Sequence, residues 1–394
     1  MPLPTIDIKR SAEPRLRKGH LWVYANELSV PPAKSGVGAG QVVTLSLNKR
    51  VFGVGYYNPA SLIAVRILDR NPNAEINTAW FQRRFEQALS LRQGLADPTH
   101  MRLVHGEADG IPGLVIDRFG DLLVAQSGTA GIDALRPHIE GALRALLPKA
   151  SLLWRNLGAA RALEGLADST EVGFGEVADE HAVIEHGARF WFRPKSGQKT
   201  GWYYDQRENR QLIGGLAGGK RVLDVCSYLG GFAVSCAAGG AKSVLAVDGS
   251  VEALELLGRN AEQNDVAGLI TTNKGDAFET LVALHAAKER FDLVIIDPPA
   301  FIKRRKDASE GVQAYRRLAA LALRLVEPGG FLASYSCSHL FPREGLIEAL
   351  ARAAMAGHRR ASIVAELHAG ADHPVHPAMP ETEYLKGLLA RVEA

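Results

Sequence analysis

The sequence predicts an α/β protein whose C-terminal half forms a doubly wound parallel sheet. In that half, short runs rich in Val, Ile and Leu alternate with amphipathic segments of helical length. The runs are continuously apolar instead of alternating with polar residues, which is typical of strands that helices cover on both faces. Five strands are predicted, at residues 221–226, 243–248, 270–272, 291–296 and 331–336.

Helices are predicted between these strands, and one of them has a clear start signal. Ser250 precedes an amphipathic segment that continues to about Asn264, with Glu252 in its first turn. A serine hydroxyl can cap a helix N-terminus, and an acid favours its positive end. Comparable segments begin at Gly231 and span about 312–326.

Length and composition limit the classes of protein to which this sequence can belong. The 394 residues exceed what one hydrophobic core usually serves, so two or three domains are expected. The 46 Lys and Arg residues against 43 Asp and Glu give a net charge of +3, so any nucleic-acid surface must be local. Three cysteines without a CxxC pair support neither a disulfide framework nor a metal site. No signal peptide or membrane-spanning run is visible, which predicts a soluble cytoplasmic protein.

The residues that follow each strand are the candidates for ligand binding, because ligands bind outside the carboxyl ends of parallel strands. The first strand is followed by Ser227-Tyr-Leu-Gly-Gly-Phe232, whose paired glycines allow backbone to approach a ligand. Asp248 ends the second strand and could accept hydrogen bonds from ribose hydroxyls. Gly275-Asp-Ala-Phe278 and Asp297-Pro-Pro-Ala-Phe301 follow the third and fourth.

A glycine loop with an acid at the next strand end also describes a nicotinamide-dependent dehydrogenase. The full GxGxxG fingerprint is absent, and the adjacent glycines offer less of a cradle for a pyrophosphate. A second acid, Asp276, could read an adenine amino group. The set favours S-adenosylmethionine over a nicotinamide cofactor.

Several of these motifs together resemble a known family. The stretches Val222-Leu-Asp-Val-Cys-Ser-Tyr-Leu-Gly-Gly-Phe-Ala-Val-Ser235, Thr200-Gly-Trp-Tyr-Tyr-Asp-Gln-Arg207, Asp297-Pro-Pro299 and Ser336-Cys-Ser338 are similar to bacterial class I methyltransferases of large-subunit ribosomal RNA. Those enzymes make 5-methylcytosine and carry an N-terminal PUA domain. Two departures stand out: Leu229 replaces an expected threonine, and Ala300 precedes the aromatic Phe301, which weighs against amino-group methylation.

The resemblance implies three domains. Residues 1–67 would form a small β-barrel PUA-like RNA-binding domain, 68–187 a central α+β domain, and 188–394 a Rossmann-like methyltransferase domain. The resemblance also places Gln206 and Arg207 at the methionine end of the cofactor, with Lys195 and Tyr203 nearby. Alternatively, Arg207 and Arg210 pair with neighbouring acids such as Asp205. The predicted cofactor-binding set is Gln206, Arg207, Ser227, Tyr228, Gly230, Gly231, Phe232, Asp248, Asp276, Ala277 and Asp297.

Cys337 at the end of the fifth strand is the candidate nucleophile. Carbon 5 of cytosine is a poor nucleophile, so its methylation requires a thiolate to add at carbon 6. Asp297 at the neighbouring strand end would hold the pyrimidine edge and stabilise the developing charge. The base that removes the carbon 5 proton is not identified by the sequence. Alternatively, Cys337 is an inert buried thiol like Cys226 and Cys236.

Three functions therefore stay open. The favoured function is methylation of cytosine carbon 5 in large-subunit ribosomal RNA. The second is methylation of an exocyclic base nitrogen, and the third is a non-catalytic role as an RNA-binding assembly factor. The run 388–392 could be an edge strand that pairs with a second copy, so a homodimer is left open.

Other polar segments have less specific readings. The basic and aromatic residues from Lys9 to Tyr24 resemble the PUA pattern and could meet RNA. The run Lys303-Arg-Arg-Lys306 beside Asp-Pro-Pro would attract phosphates. His373 in the tail is as easily structural as catalytic. The polar residues His105, Glu107, Asp109 and Asp117 suggest hairpin turns more than a metal site.

Overall fold

The computed structural model describes residues 2–302 and 304–394. The chain divides into two compact units. Unit 1 comprises Met1–His181, Arg193–Trp202 and Ala371–Thr382, and unit 2 comprises Ala182–Phe192, Tyr203–Gly370 and Glu383–Ala394. The domain boundaries expected at residues 67 and 187 stay predictions.

The first sheet of unit 1 is five-stranded and encloses a small apolar core. Its elements are β1 Thr5–Ile8, α1 Glu13–Arg17, β2 Trp22–Val23, β3 Val42–Leu47, β4 Arg50–Tyr57 and β5 Val65–Asp69. The strand order is β1-β3-β4-β5-β2, with β1 parallel to β3 and the other pairs antiparallel. Val23, Val43 and Leu45 are fully buried in its core.

The second sheet of unit 1 packs against two long helices. Its elements are α2 Thr78–Arg92, β6 His100–His105, β7 Leu114–Phe119, β8 Leu122–Ser127, α3 Ala130–Leu146, β9 Ser151–Asn156, α4 Ala159–Leu163 and β10 Ser169–Phe174. The order is β10-β9-β8-β7-β6. Asn77 caps α2 and Thr129 caps α3 through side-chain oxygens, which fixes where the helices begin.

Unit 2 contains the doubly wound sheet that the sequence predicts. Its elements are β11 His181–Glu185, β12 Ala188–Phe192, α5 Arg207–Gly215, β13 Arg221–Val225, α6 Gly231–Ala238, β14 Ser243–Asp248, α7 Val251–Gln263, β15 Ile270–Lys274, α8 Ala277–Ala286, β16 Phe291–Ile296, α9 Ala308–Leu325, β17 Val326–Ser336, α10 Arg343–Ala356, β18 Arg360–His368 and β19 Lys386–Glu393. β11 and β12 form a separate hairpin, and the other seven strands form one sheet.

The seven-stranded sheet has the order β15-β14-β13-β16-β17-β19-β18. Its first five strands are parallel, and β19 runs antiparallel to both of its neighbours, β17 and β18, so that β18 has the direction of the first five strands. All five predicted strands are confirmed, and Ser250 caps α7 by accepting a hydrogen bond from the Ala253 N–H. Reversal of strand order on either side of β13 opens a ligand crevice at the carboxyl ends of the strands.

The edge-strand expectation for 388–392 is wrong. β19 contains these residues and lies inside the sheet, with β17 on one side and β18 on the other. Both of its edges are therefore paired within the chain, and the feature that left a homodimer open is absent. Among the helices that the structure describes, none is long and apolar enough to cross a bilayer.

Candidate functional site

The glycine loop after β13 adopts a backbone that only glycine accepts comfortably at its last position. Cys226 (φ 67°), Tyr228 (φ 49°) and Gly230 (φ 82°) all have left-handed backbone conformations, and Gly230 is the N-cap of α6. A Cβ at Gly230 would lie 2.6 Å from the Leu257 Cγ. The loop is thus bent tightly over α7, and it leads directly into the positive end of α6.

Asp248 at the end of β14 holds this loop in place. Its Oδ2 accepts the Tyr228 N–H at 2.9 Å, and its Oδ1 accepts the Ser250 N–H at 2.9 Å. A carboxylate has about four acceptor positions, so Asp248 keeps capacity for ligand hydroxyls. In the loop itself, the buried Ser227 Oγ has no hydrogen-bond partner among the described residues.

Leu229 occupies the position where the resemblance implies a threonine. Its side chain is buried, and its backbone carbonyl accepts a hydrogen bond from the Asn260 Nδ2 at 3.0 Å. The position therefore serves the packing between the loop and α7. Phe232, which directly follows the two glycines, is also buried, with its ring 5.5 Å from that of Tyr335.

Asp276 follows β15 and begins α8. Its Oδ1 accepts hydrogen bonds from the Phe278 and Glu279 backbone N–H groups, at 2.9 and 3.1 Å. Asp276 is exposed, and Ala277 and Phe278 are partly exposed. The acid that sequence reasoning assigned to adenine is thus also a helix cap, which positions it rigidly.

Asp297 after β16 is tied to the segment before α5. The Gln206 Nε2 donates to the Asp297 Oδ2 at 2.9 Å, and the Asn209 Nδ2 donates to the Gln206 Oε1 at 2.6 Å. Because the amide of Gln206 is held from both ends, its orientation is fixed. Asp297 is half-buried at the carboxyl end of β16.

The arginines of this segment pair with an acid that sequence reasoning did not consider. Arg210 makes a bidentate ion pair with Glu185, at 2.5 and 2.7 Å, and both side chains are buried. The Arg207 Nε lies 3.9 Å from the same carboxylate, and its guanidinium stacks on the Tyr204 ring at 4.6 Å. Asp205 is instead hydrogen-bonded to the Tyr384 hydroxyl at 2.5 Å.

The two serines around Cys337 are structural. Ser336 and Ser338 are fully buried, and each hydroxyl lies 2.8 Å from the Tyr315 hydroxyl. The Ser338 Oγ also accepts the Ile302 N–H at 3.1 Å. This network clamps the end of β17 to α9 and to the loop after Asp-Pro-Pro, while Cys337 between the serines stays partly exposed.

A cation lies beside the Cys337 strand end. Lys386 pairs with Ser336 in the β17–β19 ladder, and its Nζ donates to the Ser338 carbonyl at 3.1 Å. Burial lowers the pKa of Lys386, whereas the Glu383 carboxylate and a Cys337 thiolate act in the opposite direction. Tyr203 also lies within electrostatic reach of both Asp297 and Cys337, and burial raises its pKa.

The other two cysteines are in environments that keep a thiol protonated. Burial raises the pKa of Cys226, and the carboxylates of Asp297 and Asp248 add to the effect. Burial also raises the pKa of Cys236 well above its ordinary value. Neither residue has the conditions that a nucleophilic thiolate needs.

Asp224 is an ionisable group at the site that sequence reasoning missed. It is fully buried on β13, and neither carboxyl oxygen makes a hydrogen bond of good geometry to the described residues. Burial, together with the charge of Asp297, raises the pKa of Asp224 to about 8, and the nearby Ala233 N–H partly offsets this shift. Tyr315, Lys386 and Glu185 were missed as well, because only the fold brings them to the site.

Several other predicted residues lie in unit 1 and have local partners. The Lys195 Nζ is 2.9 Å from the Asp179 Oδ1. His373 bonds Asp372 at 2.7 Å, and its ring lies 5.1 Å from that of His105. Within residues 2–302 and 304–394, no group of three or more His, Cys, Asp or Glu side chains could hold a metal ion.

The acids whose spacing could suggest a metal site are bound to other side chains. Asp109 forms a bidentate pair with Arg92, Asp117 pairs with Arg102, and the Glu107 Oε1 accepts the Trp22 Nε1–H at 2.8 Å. In the basic segment, Arg15 contacts the Glu27 carboxylate at 2.5 Å and lies over the Tyr24 ring. Lys303 of the predicted phosphate-binding run lies outside the described residues.

Comparison with known proteins matches both parts of the chain to families. Residues 6–70 match a PUA-like domain, and residues 161–391 match S-adenosylmethionine-dependent methyltransferases. Proteins named Ribosomal RNA large subunit methyltransferase I are similar over nearly the whole length. The protein from Cronobacter sakazakii is 34% identical over 390 residues, 98% of each chain, and the one from Tolumonas auensis is 34% identical over 394 residues, 98% of this chain and 99% of the relative.

Solved structures share the fold. A methyltransferase crystallised in complex with SAH has a TM-score of 0.84 at 21% identity, covering 98% of this chain and 99% of that chain. A SAM-dependent methyltransferase from Streptococcus mutans has a TM-score of 0.83 at 20% identity, with the same coverage. The predicted fold class, the PUA-like domain and the S-adenosylmethionine cofactor are confirmed.

Proposed function

The chain belongs to the S-adenosylmethionine-dependent methyltransferases, and on that premise we propose that it methylates carbon 5 of a cytosine in large-subunit ribosomal RNA. Similarity to proteins named Ribosomal RNA large subunit methyltransferase I supports the RNA substrate. One observation carries the carbon 5 assignment. Cys337 is partly exposed directly after β17 and next to β16, which Asp297 follows. Cys226 is also partly exposed, but desolvation and the nearby carboxylates raise its pKa, and burial raises the pKa of Cys236, so both thiols stay protonated.

The strand-end residues fit the cofactor. The Ser227 hydroxyl is buried without a partner, the space above Gly230 admits no Cβ, and Asp248 keeps free acceptor capacity. These features suit a nucleoside approached by backbone and bound through hydroxyls. We assign the cofactor to Gln206, Arg207, Ser227, Tyr228, Gly230, Gly231, Phe232, Asp248, Asp276, Ala277 and Asp297.

The chemistry of the chain begins at Cys337. Its thiolate forms a bond to carbon 6 of the cytosine, and the electron pair of the 5,6 double bond moves toward carbon 5. Asp297, oriented by Gln206, holds the pyrimidine edge and stabilises the charge redistribution. S-adenosylmethionine, when bound, supplies the electrophilic methyl group. Loss of the carbon 5 proton then releases the thiolate and restores the aromatic ring.

The Ser-Cys-Ser arrangement supports this role through rigidity. Ser336 and Ser338 are both bound to Tyr315, so the backbone that carries Cys337 cannot swing away from the crevice. The positive charge of Lys386, anchored on the Ser338 carbonyl, favours a nearby anion. A nucleophile held in position by packing and hydrogen bonds needs little reorganisation to react.

The decisive experiment replaces the cysteine and identifies the product. Cys337→Ser should reduce methyl transfer to ribosomal RNA from a deletion strain by about a thousandfold or more while S-adenosylmethionine affinity changes little. Cys226→Ser is the matched control and should keep substantial activity. Mass spectrometry of nucleosides should detect 5-methylcytidine with the wild type.

A covalent adduct gives an independent readout. RNA containing 5-fluorocytidine lacks the proton whose removal releases the enzyme, so the wild-type protein should form a stable protein–RNA adduct that Cys337→Ala cannot form. Methylation of an exocyclic nitrogen by the Cys337→Ser protein at the wild-type rate would instead establish the alternative reaction. Absence of any transfer by the wild type, despite cofactor binding, would favour an assembly factor.

A further inference from the structure

A cationic groove lies in unit 1, and it contains none of the residues assigned to catalysis. It is a cavity of about 610 Å³ between α1, the β3–β4 hairpin and the residue after β5. We call it the arginine groove and define it by Glu13, Arg17, Arg50, Val51, Phe52 and Arg70. Its volume is within the range of ligand pockets, about 300–1,000 Å³.

Two of its three arginines have no acidic partner in the part of the chain that the structure describes. Arg17 pairs with Glu13 at 2.6 Å. Within the described residues, the Arg50 side chain makes no ion pair or hydrogen bond, and the Arg70 guanidinium donates to the His20 carbonyl at 3.2 Å without a carboxylate within 4.0 Å. Burial lowers the pKa of Arg70. A partly desolvated guanidinium without a counter-ion favours an anionic ligand.

The floor of the groove is apolar and partly aromatic. Val51 is 48% exposed, and Phe52 is partly exposed although it also packs on the core of the first sheet. A cationic rim around an exposed aromatic floor is the arrangement on which single-stranded nucleic acids bind, with bases on the ring and phosphates on the arginines.

The hairpin beside the groove carries an additional cation at a conformational cost. Asn48 (φ 52°) and Lys49 (φ 62°) form a two-residue turn in which both backbones are left-handed. Glycine is the favoured residue at the second position of such a turn. The lysine at this position precedes Arg50 in the chain and adds positive charge to the hairpin, where a glycine would be neutral.

A neighbouring cavity extends the surface. Arg70 also lines a cavity of about 520 Å³, together with Arg84 and the apolar side chains of Leu68 and Leu91. Arg84 is bound to Asp69 at 3.3 Å and stacks on Trp80. Because Arg70 lines both cavities, they share a cationic side chain.

We propose that the arginine groove binds a single-stranded segment of the substrate RNA, with a base on Val51 and Phe52 and phosphates on Arg50 and Arg70. The choice of RNA as the anion rests on the proposed function. The arginine groove differs from the RNA-binding segment expected from the sequence. In that segment, Arg15 contacts Glu27 and Tyr24, and Trp22 donates a hydrogen bond to Glu107. Of the basic residues in that segment, Arg17 is the one that lines the groove, among the residues that the structure describes.

The test measures RNA affinity of the full-length protein without cofactor. Fluorescence anisotropy with a fluorescein-labelled single-stranded RNA of about twelve nucleotides is recorded over a KCl series of about 50–300 mM. Arg50→Gln/Arg70→Gln should weaken binding at least tenfold at the lower salt and reduce the slope of log Kd against log [KCl] by about 1.4, or about 0.7 for each lost phosphate contact.

Two controls separate this site from general charge. Arg83→Gln/Lys149→Gln removes the same charge from unit 1 at exposed residues that line neither cavity, and it should change the affinity less than twofold. Phe52→Leu keeps an apolar side chain in the core but removes the ring. It should weaken binding about fivefold or more with an unchanged salt slope.

Three outcomes would overturn the proposal. The groove variant could bind the probe like the wild type, or no more weakly than the charge control. A poly-glutamate peptide could displace the probe as well as unlabelled RNA does, which would identify an acidic protein segment as the ligand. If the proposed carbon 5 chemistry is wrong, the Cys337→Ser protein will still methylate RNA. This result is obtained without the groove variants, so failure of one proposal can be distinguished from failure of the other.

Discussion

At the scale of single residues, Asp224 is the most unusual group in unit 2. It is a carboxyl buried on a central strand, two residues before Cys226, where the left-handed loop begins. An ionised carboxylate without a counter-ion in such a place is costly, so the group retains its proton at neutral pH. Its raised pKa of about 8 links folding stability to pH.

The direction in which stability changes with pH depends on which state, folded or unfolded, holds the Asp224 proton more tightly. The folded state holds the Asp224 proton up to about pH 8, whereas the unfolded chain loses it near the ordinary value of 3.8. Asp224 therefore contributes fully to stability below about pH 4, and this contribution is lost as the pH rises toward about 8, by at most about 1.4 kcal/mol per pH unit.

We expect Asp224→Asn to remove this dependence, because an amide of the same shape has no proton to lose. The stability of the wild type relative to Asp224→Asn should fall by a few kcal/mol between about pH 5 and pH 8 in urea unfolding experiments. The exposed Asp265→Asn is the matched control for loss of a carboxylate. Parallel curves for the wild type and Asp224→Asn would contradict the assignment of a protonated acid.

Cys337 illustrates what one residue reveals in sequence and what it does not. The end of a strand, the flanking serines and the neighbouring Asp-Pro-Pro predict a reactive thiol. That Ser336 and Ser338 would both bind one tyrosine in α9 could not be predicted, because Tyr315 is more than twenty residues away in the sequence. The same holds for Lys386, which the antiparallel strand β19 delivers beside Ser336.

At the scale of elements, the parallel strands were predictable because each is apolar on both faces. Register and strand order were not, and this caused the error for 388–392. The run reads as a strand, but nothing local shows that the preceding strand β18 would cover its outer side. The Arg210–Glu185 pair was missed for a related reason, since the hairpin β11–β12 brings Glu185 to α5.

The turn from β13 into α6 is the element whose geometry the site depends on most. Gly230→Ala introduces a Cβ 2.6 Å from the Leu257 Cγ and forces alanine into a left-handed conformation. We expect a loss of unfolding free energy of about 1–3 kcal/mol. Because the same backbone approaches the cofactor, S-adenosylmethionine affinity measured by calorimetry should fall by tenfold or more.

Gly258→Ala is the control for this prediction. Gly258 lies inside α7, and a Cβ there would have no neighbouring atom within 4 Å. Alanine is the better helix former, so this substitution should stabilise the protein by about 0.5–1 kcal/mol and leave cofactor affinity unchanged. Equal effects of the two substitutions on cofactor binding would show that the tight loop over Leu257 is not required.

At the scale of the whole molecule, a net charge of +3 conceals local concentrations of positive charge. One is the arginine groove, and another is the segment after Asp-Pro-Pro, where Arg305 and Lys306 are exposed. Local cationic surfaces contribute affinity for a phosphate backbone without contributing base specificity. An overall charge near zero is therefore compatible with an RNA substrate.

The loop before α9 offers a matched comparison for substrate binding. Arg304 is engaged with Asp307 at 3.1 Å, whereas Arg305 and Lys306 make no ion pair among the residues that the structure describes. If this loop contacts the substrate backbone, Arg305→Glu/Lys306→Glu should raise the KM for RNA about tenfold while kcat changes little, because a phosphate contact stabilises ground and transition states alike. The salt dependence of kcat/KM should flatten by about 0.7 or more per lost contact for single-stranded RNA.

Arg304→Gln removes a charge that is already neutralised, so its effect on KM should be several times smaller. Initial rates of methyl transfer to ribosomal RNA, recorded over about 50–300 mM KCl, give both quantities. An unchanged KM and salt slope in the double variant would exclude the loop from substrate binding. A drop in kcat at constant KM would instead indicate that the double variant disturbs the Asp297 loop, which directly precedes this segment in the chain. The reason is that an interaction made only in the transition state changes kcat alone.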